Sequence, residues 1–295
     1  MTTQKAAVGP LEIAYETFGD RADPPVLLVM GLGAQLIAWH DEFVAQLAGR
    51  GHFVVRYDNR DVGESTHLHD ARQPDVAAAM GGDFSSAAYL LSDMAGDAAG
   101  LLDALDLDSA HVIGASMGGM IVQQFAIDHP QRTRSLTSIM STPDPSVSPP
   151  TEAAMGALLR PPASSRQEVV DSAPEMWRLI GSPGFAHDIP WIQTIAGRGY
   201  DRGYDPTGVM RQLLAIQASP DRRPGLAELG VPTLVIHGED DPLVPLPGGQ
   251  ATADAVPDAK LVTFAGMGHD LPQELWPAIL DEISEVVSRG EQARG

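Results

Sequence analysis

The sequence predicts an α/β protein, a doubly wound and mostly parallel sheet that carries an inserted helical cap. Three observations carry this prediction. Short apolar runs of strand length alternate with segments of helical spacing; residues 143–225 interrupt that rhythm with helices alone; and a Gly-x-Ser-x-Gly turn joins a strand-like run to a helix-like one. The core domain is therefore expected in residues 1–142 and 226–295, with the cap in 143–225.

Taken in order, residues 1–5 lead into a strand-like segment without an apolar stretch of signal-peptide type. Residues 11–19 alternate like an opening strand, 26–30 form a continuous apolar run, and a second such run ends in 53–58, the pattern of strands buried on both faces. Between them, 41–50 have helical spacing at Phe43, Val44 and Leu47. Residues 86–105 place Tyr89, Leu90, Met94, Ala98, Leu101, Leu102 and Leu105 on one helical stripe and leave Asp93, Asp97 and Asp103 on a solvated face. A strand at His111-Val112-Ile113, a helix over 120–128, a strand over 135–140, two strands over 232–237 and 260–264 and a helix from Pro272 to about Ser288 complete the core. Right-handed crossovers between parallel strands make such a sheet doubly wound.

The predicted cap opens at Pro143-Asp144-Pro145-Ser146-Val147-Ser148-Pro149-Pro150 and closes at Pro220-Asp221-Arg222-Arg223-Pro224. Its helices are expected over 151–160, 166–180, 190–198 and 206–218, with Thr151 and Asp188 as N-caps and Pro190 in a first turn. Met155, Leu159, Met176, Trp177, Ile180, Phe185, Trp191, Ile192, Tyr200 and Tyr204 supply large apolar surface. Most should dock the cap on the core, and Met155, Met176, Trp177, Trp191 and Tyr200 are the candidates for contact with a hydrophobic ligand.

The chain of 295 residues has no cysteine, which removes disulfides, thiolate metal sites and a cysteine nucleophile. Its formal charge of −20 disfavours nucleic acid and anionic membranes, because such a surface repels phosphate. The most apolar window, residues 25–39, is too short for a bilayer and is interrupted by Gly31, Gly33 and Gln35. A cytoplasmic protein acting on a small molecule is the expectation.

Gly114-Ala115-Ser116-Met117-Gly118 follows an apolar strand and precedes a helix. In that context the glycines allow a strained turn that lifts the serine oxygen out of the sheet, and the helix start aims free N–H groups at whatever the serine attacks. A serine hydroxyl needs a base, and the base needs an orienting acid, which in this architecture follow in the order Ser, acid, His. Strand-end loops supply both. His237-Gly238-Glu239-Asp240-Asp241-Pro242 offers the acid, with Asp241 ahead of Asp240 and of Asp144 after the preceding strand, and Gly266-Met267-Gly268-His269 offers the base. The oxyanion donors are assigned to the N–H groups of Met117 and of Leu32 in Met30-Gly31-Leu32-Gly33.

The other histidines are given lesser roles. His111 is structural, His237 stands beside the acids, and His40, His52, His129 and His187 are packing or surface residues. His67-Leu68-His69-Asp70 looks like a fragment of a metal site, but the adjacent sequence offers no third ligand. No metal and no cofactor is therefore expected.

With these residues in view, the chain resembles the α/β-hydrolase fold family over nearly its whole length. Beyond the serine turn, Tyr57-Asp58-Asn59-Arg60-Asp61-Val62-Gly63-Glu64-Ser65 resembles the loop after the family's fourth strand, and residues 238–242 and 266–269 resemble its acid and histidine loops. Met30-Gly31 stands where many members carry His-Gly. That variant, the Arg60-Asp61 pair and Asp241-Pro242-Leu243-Val244-Pro245 look most like a branch that includes aclacinomycin methylesterase. The resemblance implies a serine esterase acting through an acyl-enzyme on a small to medium hydrophobic ester, a methyl ester included. Lactone opening, peroxyacid formation, carbon–carbon cleavage beside a carbonyl, and ligand binding with negligible turnover are the alternatives.

Overall fold

Runs that are apolar at every position become the centre of the sheet, where both faces are covered. The computed structural model describes residues 2–294. Within them the elements run β1 (Gln4–Val8), β2 (Leu11–Phe18), β3 (Pro25–Val29), α1 (Asp41–Ala48), β4 (Phe53–Tyr57), α2 (Val76–Met80), α3 (Leu91–Ala104), β5 (Ala110–Ala115), α4 (Met117–Asp128) and β6 (Thr133–Ile139). There follow α5 (Glu152–Leu158), α6 (Arg166–Ile180), α7 (Ile189–Arg202), α8 (Pro206–Ala218), α9 (Arg223–Leu226), β7 (Thr233–Gly238), α10 (Pro247–Ala255), β8 (Lys260–Phe264) and α11 (Trp276–Gln292).

The strands form one sheet in the order β1-β2-β4-β3-β5-β6-β7-β8. From β4 to β8 neighbours are parallel; β1 and β2 form an antiparallel hairpin, and β2 pairs antiparallel with β4. On one face α3 and α4 bury Leu91, Met94, Leu101, Ile121 and Phe125; on the other α1 and α11 bury Phe43, Leu47, Trp276, Ile279 and Ile283. Each such side chain contributes roughly 1.5–3 kcal/mol of burial, so the two covering layers hold the sheet from both sides. Among the described residues, no helix is long and apolar enough to cross a membrane.

The elements depart from expectation where sequence signal is weak. The segment before residue 11 is a full edge strand, β1, with its residues mostly exposed, so no apolar alternation marks it. The helix expected from residue 86 starts at Leu91, because Asp93 Oδ2 accepts the Leu90 N–H at 2.7 Å and fixes the first turn there. The final helix is preceded by a 3-10 turn over Gln273–Leu275. α10 has no counterpart in the sequence pattern, since Pro247-Gly248-Gly249 carries little helical preference.

Residues between β6 and β7 are helical, as expected. Thr151 Oγ1 accepts the Ala154 N–H at 3.3 Å and Asp188 Oδ1 accepts that of Trp191 at 3.0 Å, so both predicted N-caps form. The predicted boundary at 225 falls inside α9. Buried ion pairs tie this insertion to the loop after β4. Arg211 in α8 grips Asp61 through Nε and Nη2 at 2.9 and 2.7 Å, and Arg202 in α7 meets Asp58 at 2.5 Å.

Candidate active site

β5 ends at Ala115 and α4 begins at Met117, so the chain reverses on Ser116 alone. It does so at φ 58° and ψ −124°, a conformation that costs a non-glycine residue about 1–3 kcal/mol and persists only where the surroundings enforce it. The surroundings do. Ser116 N–H donates to Ile139 O at 2.9 Å and Ser141 Oγ donates to Ser116 O at 2.8 Å. Two glycines remove obstacles: a Cβ on Gly118 would lie 2.9 Å from Met30 O, and one on Gly31 would lie 2.9 Å from Ser116 Cβ.

His269 Nε2 is 2.9 Å from Ser116 Oγ, and His269 Nδ1 is 2.7 Å from Asp241 Oδ2. Because the Nδ1–H donates to the carboxylate, Nε2 presents its lone pair to the serine hydroxyl. Asp241 is itself fixed, its Oδ1 accepting the N–H groups of Leu243 and Val244, both at 2.9 Å. The alternative acids are engaged elsewhere: Asp240 Oδ2 accepts Gly266 N–H at 2.8 Å, and Asp144 Oδ1 accepts Ser146 N–H at 2.7 Å.

His237 donates from Nε2 to Val244 O at 2.7 Å, and burial holds its imidazole below the usual histidine range, so it braces the acid loop as a neutral group. His111 is buried between Ser135 Oγ, 2.8 Å from Nδ1, and Glu291 Oε1, 3.1 Å from Nε2.

Leu32 and Met117 flank the serine on the cavity wall. Met117 opens α4, where a first-turn N–H has no partner within the helix. The loop bearing Leu32 is held on both sides: Asn59 Nδ2 donates to Met30 O at 2.9 Å, and Gly33 N–H donates to Gln212 Oε1 of α8 at 2.9 Å.

The site opens into a cavity of about 570 Å³. Of the insertion residues singled out, Met155, Met176, Trp177, Ile180, Trp191 and Ile192 line it. Tyr200 does not. Its ring stacks on Tyr204 with centroids 5.0 Å apart, and Tyr204 in turn donates to Ala163 O at 3.0 Å, so this pair knits the insertion together. Leu159 and Phe185 also stand outside the wall.

Sequence reasoning missed several contributors. His40, read as a packing residue, caps α1 and lies between Trp191 and Trp276 at 5.1 and 4.9 Å, on the cavity wall. The histidine loop is clamped by the end of α6: His269 N–H donates to Ile180 O at 2.7 Å and Gly268 N–H to Ser182 Oγ at 2.8 Å, while Ser182 Oγ donates to Asp270. Burial pushes the Asp270 carboxyl above the usual carboxylate range. No spacing in the sequence links Ser182 to a loop 86 residues away. The same holds for Asp205, which lies 138 residues from His67 and comes within 3.0 Å of its Nδ1.

Comparison with known proteins agrees with this architecture. Residues 24–175 match the family described as alpha/beta hydrolase fold, and 214–292 match one described as TAP-like protein. The chain is 32% identical to the rhodomycin D methylesterase DauP of Streptomyces sp. (strain C5), over 92% of this chain and 93% of that protein. It is 31% identical to the rhodomycin D methylesterase DnrP of Streptomyces peucetius with the same coverage, 92% and 93%. Among solved structures it is similar to the enol-lactonase of Burkholderia xenovorans LB400, with a TM-score of 0.73 and 24% identity over 97% of this chain and 100% of that one, a likeness of fold.

Proposed function

Because the chain belongs to the α/β-hydrolase fold family, we propose that it is a carboxylic ester hydrolase working through Ser116, His269, Asp241 and a covalent acyl-enzyme. The observation that carries this reading is the unbroken hydrogen-bonded path from Ser116 Oγ through the His269 ring to Asp241, with spans of 2.9 and 2.7 Å. Ser116 Oγ attacks the ester carbonyl as His269 Nε2 takes its proton, and Asp241 stabilises the imidazolium that results. The N–H groups of Leu32 and Met117 receive the negative oxygen, worth about 3–4 kcal/mol per donor in comparable sites. His269 then protonates the departing alcohol. A water, deprotonated by the same nitrogen, attacks the acyl carbon and releases the acid and Ser116.

Residues 143–225 act as the cap, contributing much of the cavity wall to residues 1–142 and 226–295. The Met and Trp side chains of that wall suit a hydrophobic ester, and the relatives named rhodomycin D methylesterases support a methyl ester as the bond cleaved. The test is hydrolysis of p-nitrophenyl esters of increasing acyl length and of a hydrophobic methyl ester, with wild type and Ser116→Ala in parallel. The variant should lose about 10³-fold or more in kcat while binding product normally. Retained burst kinetics in Ser116→Ala would remove the serine from the mechanism, and a folded wild type inert toward every ester would favour a binding role.

A further inference from the structure

The histidine pair in the loop after β4 acquires in three dimensions the partner that its own sequence neighbourhood lacks. We propose that His67, His69 and Asp205 form a divalent transition-metal site, of the kind zinc occupies, that fastens the loop after β4 to the start of α8. One ligand atom from each of His67, His69 and Asp205 lies within 4.8 Å of the other two. Asp205 Oδ2 is 3.0 Å from His67 Nδ1 and 3.9 Å from His69 Nδ1. Ligands of a tetrahedral zinc, at about 2.0–2.1 Å from the metal, stand roughly 3.4 Å apart, so small side-chain adjustments bring these three into range. His69 is free to make them, with its side chain 74% exposed. The two rings already lie nearly parallel, at 11° and 5.5 Å.

A second observation concerns the orientation of His67. His67 Nε2 lies 3.0 Å from Gly63 O, and a carbonyl only accepts, so that nitrogen carries the proton. With Nε2 held by that carbonyl, Nδ1 is the nitrogen left to face Asp205 Oδ2, at 3.0 Å. The Nε2–H to carbonyl bond is the outer-shell contact that fixes a metal-binding histidine in the tautomer whose Nδ1 can ligate. Asp205 is preorganised too, because its Oδ1 accepts Gly208 N–H at 3.0 Å as the N-cap of α8, leaving Oδ2 facing the histidines. Arg211 Nη2 approaches that oxygen at 3.2 Å, but its charge is matched by the two-point pairing with Asp61.

Two imidazoles and one carboxylate suit zinc, cobalt or nickel better than magnesium or calcium. Water completes the coordination. None of the three residues lines the catalytic cavity, so the ion would act on the attachment of α8, the helix whose Gln212 holds Gly33.

Chelator-treated full-length protein titrated with ZnCl₂ should bind one equivalent and gain several degrees in Tm, and CoCl₂ should give the visible absorption of a low-symmetry Co²⁺ site. His69→Ala should weaken binding at least tenfold while leaving the Tm of the metal-free protein unchanged, since that side chain is exposed. His67→Gln should do the same to binding. Absence of one-equivalent binding by the wild type, or unchanged affinity in His69→Ala, would overturn the proposal.

Discussion

At the scale of single residues, Asp241 carries the sharpest prediction. Its Oδ2 fixes the tautomer of His269 and its Oδ1 is fixed by two backbone N–H groups, so Asp241→Asn keeps the loop geometry but reverses the polarity of the contact to the imidazole. In a comparable triad this change costs about 10⁴-fold in kcat. The expected outcome here is a loss of that order with unchanged circular dichroism, and Asp240→Asn should lose far less because that carboxylate bonds Gly266 instead. Steady-state kinetics on the ester that works best for the wild type checks both. A near-normal rate in Asp241→Asn would remove it from the mechanism.

At the scale of elements, the base loop depends on a helix of the insertion. Ser182 accepts Gly268 N–H and donates to the buried Asp270 carboxyl, so Ser182→Ala strands both partners. Leaving one buried polar group unpaired costs about 1–3 kcal/mol. Urea denaturation of Ser182→Ala should show a loss in that range or above, together with a fall in kcat that exceeds any change in KM, because the loop that presents His269 loosens. Unchanged kcat with lowered stability would confine Ser182 to a structural role. The elements themselves were legible to the extent that their side chains are periodic. Central strands and the helices of the insertion announced themselves, whereas β1 and α10 did not, being held by pairing and packing and not by pattern.

At the scale of the whole molecule, stability is tied to acid pH through buried neutral histidines. Burial lowers the imidazoles of His52 and His237, and lowers that of His111 to about 4 despite the opposing pull of Glu291. A depressed folded-state value means the unfolded chain binds the proton first, so His111's contribution is intact above about pH 6.5 and is lost as pH falls toward 4. Between pH 7.5 and 5 the loss through His111 is about 2 kcal/mol. Urea midpoints of wild type and His111→Gln at those two pH values should therefore converge or cross as pH falls, and a pH-independent difference between them would contradict the assignment.

The layered α/β architecture, the serine turn and the strand-end loops that bring Asp241 and His269 can be read from the residues alone, because these rest on local periodicity, local turn chemistry and the fixed hand of parallel crossovers. The helical character of residues 143–225 is legible for the same reason. Folding in three dimensions settles which carboxylate meets the histidine, that Tyr200 stacks on Tyr204 and not on the cavity wall, that Ser182 and Gln212 brace loops far along the chain, and that Asp205 reaches His67. Those contacts join residues that are distant in sequence through backbones placed by the whole sheet, and no short-range signal records them.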